Sequence, residues 1–175
     1  MKINAEILRQ YIDLPEDGRA IRNLLDDIGV EVKRHDTSGN AFTVELLANR
    51  GDHHCYTGLA REICGRTGQP TRHPDYVPLT VGESPIKLHL STELCGRYSA
   101  TLLEQNEVGT ELSAAERAPL DAAEIHSVSP AVDATNLSNL EFGQPTHCFD
   151  ADTLVGGIQI RLSTNGETAW PLFQD

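Results

Sequence analysis

No stretch of this 175-residue chain approaches the roughly 18 consecutive apolar residues of a membrane helix. The opening Met1-Lys2-Ile3-Asn4 lacks the long apolar region of a signal peptide. Both readings lead us to expect no membrane association and a cytoplasmic protein. There is no C-x-x-C pair. Cys55, Cys64, Cys95 and Cys148 lie far apart, which reads as four reduced thiols in an intracellular chain. Internal repeats and low-complexity tracts are absent. So are G-x-S-x-G, a P-loop, G-x-G-x-x-G and H-E-x-x-H, which removes the easily read enzyme classes and leaves no cofactor to expect. Basic residues are scarce in the second half: residues 76–175 hold four Lys/Arg against fourteen Asp/Glu, whereas residues 1–75 hold ten against twelve. Nucleic-acid affinity comes mostly from neutralising phosphates. Any RNA contact therefore has to use the first 75 residues or a partner chain.

What is present suffices for a core. Apolar residues make up 39% of the chain, and a fold of this size buries roughly 70% of its extended surface without help from disulfides. Asn4 can cap a short helix bearing Ile7, Leu8 and Tyr11, which Leu14-Pro15 breaks. A second helix is predicted over residues 16–28, stopped by Gly29. Val30 and Val32 begin a strand, residues 36–40 form a turn, and Phe42, Val44 and Leu46 alternate as a half-buried strand. Asp52 is expected to cap a third helix over 53–64 with Tyr56, Leu59, Ala60 and Ile63 inward, ended by Gly65 and Gly68. Prolines 70, 74 and 78 mark a linker.

Beyond it, strands are predicted around Ile86, Leu88 and Leu90 and over residues 98–103. A helix near 110–124 should be interrupted by Pro119. Further helix is expected over 130–141, then strands over 158–162 and 168–173 joined by an Asn165-Gly166 turn. The elements do not alternate regularly. The expected class is α+β: a small helical N-terminal domain with a strand pair (1–72), then a truncated mixed α/β domain (73–175).

Two clusters stand out. Asp52-His53-His54-Cys55 spells the DHHC signature of membrane acyltransferases, but their membrane helices and cysteine-rich zinc region are missing. Adjacent ligands such as His53 and His54 diverge on a helix, so no metal is expected; the histidines should lie near an exposed first turn. The denser cluster is N-L-E-F-G-Q-P-T-H-C-F-D, residues 139–150. Gly143 permits a sharp turn, and Pro145 stiffens its exit. His147 sits beside that turn, where a fixed imidazole can hold a water or a substrate hydroxyl. The plainer alternative is a helix start at which His147 only bonds backbone.

At these residues the chain resembles the β chain of bacterial phenylalanyl-tRNA synthetase. M-K-I-N-A-E-I-L-R-Q-Y-I-D-L is similar to that family's first helix, and L-L-D-D-I-G-V-E-V to its second helix and strand. V-E-L-L-A-N-R-G-D-H-H-C-Y-T-G-L-A-R-E-I is similar to its strand, N-R-P-D turn and following helix. C-G-R-Y-S-A, A-V-D-A-T-N and L-E-F-G-Q-P-T-H-C-F-D-A-D-T-L follow in the order of its editing domain.

The resemblance implies an N-terminal helical domain plus the first part of an editing domain, as a short stand-alone paralogue. In the family an α chain carries the ATP and phenylalanine chemistry, and the editing domain hydrolyses tyrosine misattached to the phenylalanine tRNA. That is a double sieve acting on an already activated ester. Carried over, Gly143, Gln144, Pro145, Thr146 and His147 are the expected substrate-binding residues. His147 is the catalytic candidate, orienting substrate or water. Departures are clear: only a short turn stands between Val32 and Phe42, where the family carries an OB-fold, and Thr146 and Cys148 replace its usual Leu or Met and its Ala.

Three functions follow. The first is a non-catalytic or accessory paralogue binding an aminoacyl group, a free amino acid or a partner. The second is a free-standing deacylase for mischarged Tyr-tRNA. The third is a repurposed enzyme handling aminoacyl-tRNA or amino acids. A synthetase α-type chain is one candidate partner. A second copy is another, paired at an open strand edge near 158–173.

Overall fold

The computed structural model describes residues 1–36, 39–75, 82–83, 85–104 and 111–169. The chain is α+β, and its contacts group into two compact units: 1–78 with 107–148, and 79–106 with 149–175. Compactness thus places residues 107–148 with the N-terminal half.

The first unit begins with strand β1 (Lys2–Asn4) and helix α1 (Ala5–Leu8). Asn4 Oδ1 accepts from the amides of Glu6 (2.8 Å) and Ile7 (3.4 Å), the expected cap. Asp17 caps α2 (Gly18–Asp27) by accepting from Ala20 N at 2.9 Å. At its other end Gly29 takes φ +80°. There the Val30 amide reaches Leu25 O and the Gly29 amide reaches Asp26 O, the paired bonds of a glycine stop.

Strands β2 (Glu31–His35) and β3 (Ala41–Glu45) follow, and the sheet order is β1-β3-β2, all antiparallel. Ile3 lies opposite Phe42, and Val32 opposite Val44. This register puts Ile3, Val32, Phe42 and Val44 on the core face, beside Val30, Leu8, Ile12, Ile21 and Leu25. Thr37 and Ser38, in the predicted turn, lie outside the described residues. Gly39 beyond them approaches Gly18 so closely that a Cβ on Gly18 would sit 2.7 Å from its Cα.

Helix α3 (Tyr56–Thr67) closes this core with Tyr56, Leu59, Ala60 and Ile63. It differs from the expected helix at both ends. A separate 3-10 turn, Gly51–His54, precedes it, and Cys55 stands at its N-cap without a side-chain bond. Asp52 is not the cap, because its carboxylate is taken by Arg50. Gly65 lies within the helix, and Gly68 (φ +76°) alone ends it.

Helix α4 (Ala114–Ala122) starts from a reciprocal Ser113–Glu116 capping box. Pro119 does not interrupt it. Pro119 and Leu120 are both buried, so tertiary packing offsets the missing amide. Helix α5 (Pro130–Phe142) is capped by Ser129. Its buried Asp133 accepts from Ser127 Oγ and from Val128 N (3.0 Å), and these bonds shape the entry turn. Lys2 pairs with Glu124, between β1 and the α4–α5 connection.

In the second unit, β4 (Leu88–Leu90) and β5 (Ile158–Ile160) pair in parallel, Leu88 opposite Ile158. The expected partner of β5 was instead a hairpin strand over 168–173. Residues 168–169 are not strand, and 170–173 lie outside the described residues. The turn at Asn165-Gly166 does form, held by Arg161 gripping Glu167 through two bonds of 2.9 and 2.6 Å. Residues 98–103 are irregular rather than a strand. Their apolar alternation is a local signal, and strand formation needs a bonding neighbour.

Two outcomes follow. Phe42→Ala removes a ring from the closed core and should lower unfolding free energy by about 3–5 kcal/mol in urea titrations. The Asp133 carboxyl is held below its ordinary value by Ser127 Oγ and the Val128 amide. Its folded pKa is depressed, so its contribution is complete above the unfolded value of about 4 and fades as pH falls through the lower folded one. Acid titration of stability should therefore be shallower in Asp133→Asn than in the wild type below about pH 4.

Candidate functional site

The stiff turn singled out in the sequence follows α5. Gly143 ends that helix in the left-handed region (φ +70°), its amide bonded to Asn139 O at 2.9 Å. It follows a helix end, which corrects the alternative of a helix start. Gly143 rests on Cys55: a Cβ there would meet Sγ at 3.1 Å. Cys55 is buried, with Sγ directed at Asp52 O (3.5 Å) and near Thr57 Oγ1 (3.6 Å). Thr57 Oγ1 donates to Glu141 O at 2.8 Å, two residues before the glycine. The start of α3 and the end of α5 are thus clamped together.

Of the five expected binding residues, only Gly143 is half-buried. Gln144, Pro145, Thr146 and His147 are exposed. Two hollows of this unit lie elsewhere. One of about 380 Å³ is bounded by Arg22, Asp26 and Glu31, and one of about 290 Å³ by Arg117, Ser127 and Asp133. Neither is lined by residues 143–147.

A second cluster lies where the first turn of a helix was expected. His53 is 1% exposed, not at the surface as read from sequence; only His54 is exposed. Neither nitrogen of His53 has a hydrogen-bond partner. Its Nε2 lies 3.5 Å from Glu62 Oε2 and 3.8 Å from Asp52 Oδ2, and the Glu62 approach favours the ionised carboxylate without being a hydrogen bond. Arg50 reaches the same two oxygens, at 2.9 Å to Asp52 and 2.5 Å to Glu62. Its guanidinium holds Asp52 down at about 2 and lowers Glu62 as well. The sequence signal for this cluster was D-H-H with a glutamate two to three helical turns on. Sequence reasoning paired His53 with its neighbours His54 and Cys55 rather than with Glu62, and gave Asp52 to capping, so the cluster does not emerge from it.

Nearby, Tyr11 and Tyr56 stack with ring centroids 6.3 Å apart. Burial pushes both phenols up, and Glu141 adds to the effect on Tyr11.

The B3/4 domain family matches residues 94–175, which include α4, α5, the 143–147 turn and β5. The phenylalanine–tRNA ligase β subunit of Neisseria meningitidis serogroup B is 32% identical over 164 residues, covering 90% of this chain and 21% of that protein. This chain is similar to one part of the phenylalanine–tRNA ligase β subunit. The subunit from Ralstonia nicotianae is 32% identical over 160 residues (88% of this chain, 18% of the relative). That from Chromobacterium violaceum is 30% identical over 158 residues (89% and 19%). The chain therefore spans about one fifth of the length of these ligase β subunits. Among the described residues no helix is long and apolar enough to cross a membrane.

The clamp makes two further predictions, both read from thermal and urea unfolding. A methyl on Gly58 would fall 1.7 Å from Asp52 O. Gly58→Ala should cost about 2–3 kcal/mol through overpacking. Thr57→Val orphans the Glu141 carbonyl and should cost about 1 kcal/mol.

Proposed function

We propose that this chain is a non-catalytic, accessory protein of the phenylalanine–tRNA ligase β type. It uses the turn of residues 143–147 to bind an aminoacyl group, a free amino acid or a partner protein. The observation that carries this reading is the exposed Gln144-Pro145-Thr146-His147 segment on a firmly anchored glycine turn. Ester hydrolysis by hydrogen bonding needs donors fixed in a water-excluding site. A solvent-facing imidazole gives contact and recognition more readily than it gives that environment. The acidic second half also favours an amino group or a basic protein surface over tRNA phosphates.

Its setting in this reading is the cytoplasm. Candidate partners are a synthetase α-type chain and a second copy of this chain. Segments 1–72 and 73–175 are taken as the two inherited domains. A second reading, a deacylase for mischarged Tyr-tRNA of the phenylalanine type, draws support from the B3/4 match that spans His147. In it His147 orients the substrate or its attacking water. Reuse of the same turn by an enzyme handling other aminoacyl-tRNAs or amino acids is a variant of that second reading.

Release of tyrosine from Tyr-tRNA distinguishes these readings. The expected rate with added protein equals spontaneous hydrolysis, for the wild type and His147→Ala alike. Accelerated release that His147→Ala abolishes would overturn the accessory reading in favour of the deacylase.

A further inference from the structure

Asp52, His53 and Glu62 bring one imidazole nitrogen and two carboxylate oxygens to the start of α3, all within 4.8 Å of one another. The imidazole is almost wholly buried, lacks hydrogen-bond partners, and lies within 4 Å of both carboxylates. We propose that these three side chains form a binding site for a zinc-type divalent transition metal, with Arg50 as the cation that occupies the carboxylates until the metal arrives.

The donor set fits. Neutral imidazole and carboxylate are both ordinary zinc ligands, and two carboxylates balance the charge of one divalent ion. Tetrahedral bonds of about 2.0–2.1 Å set neighbouring ligand atoms roughly 3.3–3.4 Å apart. Nε2 already stands 3.5 Å from Glu62 Oε2 and 3.8 Å from Asp52 Oδ2, within a few tenths of an ångström of that spacing; the two carboxylates, within 4.8 Å of each other and bridged by Arg50, draw together as the metal takes the place of the guanidinium. The same spacing is too long for a direct His53–carboxylate hydrogen bond. A metal would satisfy the ring nitrogen that the protein leaves unpaired. A water completes the fourth position.

Arg50 is the competitor. Its Nη2 touches both carboxylates, and its side chain is 29% exposed, which gives it a route outward into solvent. His54 and Cys55 take no part, because His54 is exposed and Cys55 Sγ faces Asp52 O and Gly143. The site is therefore not the adjacent-residue cluster that the sequence ruled out. It joins two neighbouring residues of the 3-10 turn to one residue on α3, against the sequence expectation of no metal.

Titration of the chelator-stripped full chain with zinc alone, followed by calorimetry, tests the proposal. Absorption of the cobalt-substituted protein reports the ligand geometry. The expected result is one saturable ion per chain with a tetrahedral cobalt spectrum, lost in His53→Asn and in Glu62→Gln. Glu62 lies at the rim of the fold, so Glu62→Gln keeps the test valid should His53→Asn unfold. Arg50→Gln removes a like charge beside the ion and should tighten binding by on the order of tenfold. No saturable uptake by the wild type, or uptake of unchanged strength in folded Glu62→Gln, would overturn the site and mark any residual zinc as adventitious.

Discussion

Gly58 lets the carbonyl of Asp52 rest directly against helix α3, closer than any side chain would allow. The 3-10 turn before the helix is drawn inward by that contact. His53 is consequently buried, and Arg50 is brought over the carboxylates of Asp52 and Glu62. Cys55, at the junction of turn and helix, becomes the floor on which Gly143 lies. A single missing methyl thus links the charged cluster, the start of α3 and the turn that follows α5.

The sheet and helices of the N-terminal half provide the rigid body for this junction. Ile3, Phe42 and Val44 face Leu8, Ile21 and Leu25, and α3 seals the layer with Tyr56, Leu59 and Ile63. Helix α5 is secured to that body through Thr57 and Glu141. The loop that the resemblance marks for function is therefore presented by the N-terminal half, although it lies within the span of the B3/4 match. Recognition chemistry placed on such a turn has a fixed base and an exposed tip, the usual arrangement for contact surfaces.

Local signals were readable and non-local ones were not. Asn4 and Gly29 act as cap and stop because each needs only residues within about one helical turn of it. The inward residues of α3 followed from helical spacing alone. Asp52 looked like another cap, yet a fixed guanidinium two residues away outcompeted the backbone amides for its carboxylate. Burial of His53 depends on Gly58, five residues on, and on how a turn folds back, which periodicity does not encode. The pairing of β4 with β5 joins segments seventy residues apart, so the nearby Asn165-Gly166 turn suggested the wrong neighbour. For the 143–147 turn, sequence identified the sharp bend and the stiff exit; it carried no information on solvent exposure, which the clamp to Cys55 sets.

Native-state hydrogen exchange measures most directly whether the α5 turn is anchored to the N-terminal core. If the anchoring holds, the amides of Gly143 at the end of α5 and Leu59 in α3 open with the same free energy, that of global unfolding, while those of β4 and β5 open separately. Exchange of the Gly143 amide at a far lower free energy than that of Leu59 would contradict the account, because α5 and its turn would then be free of the body said to hold them.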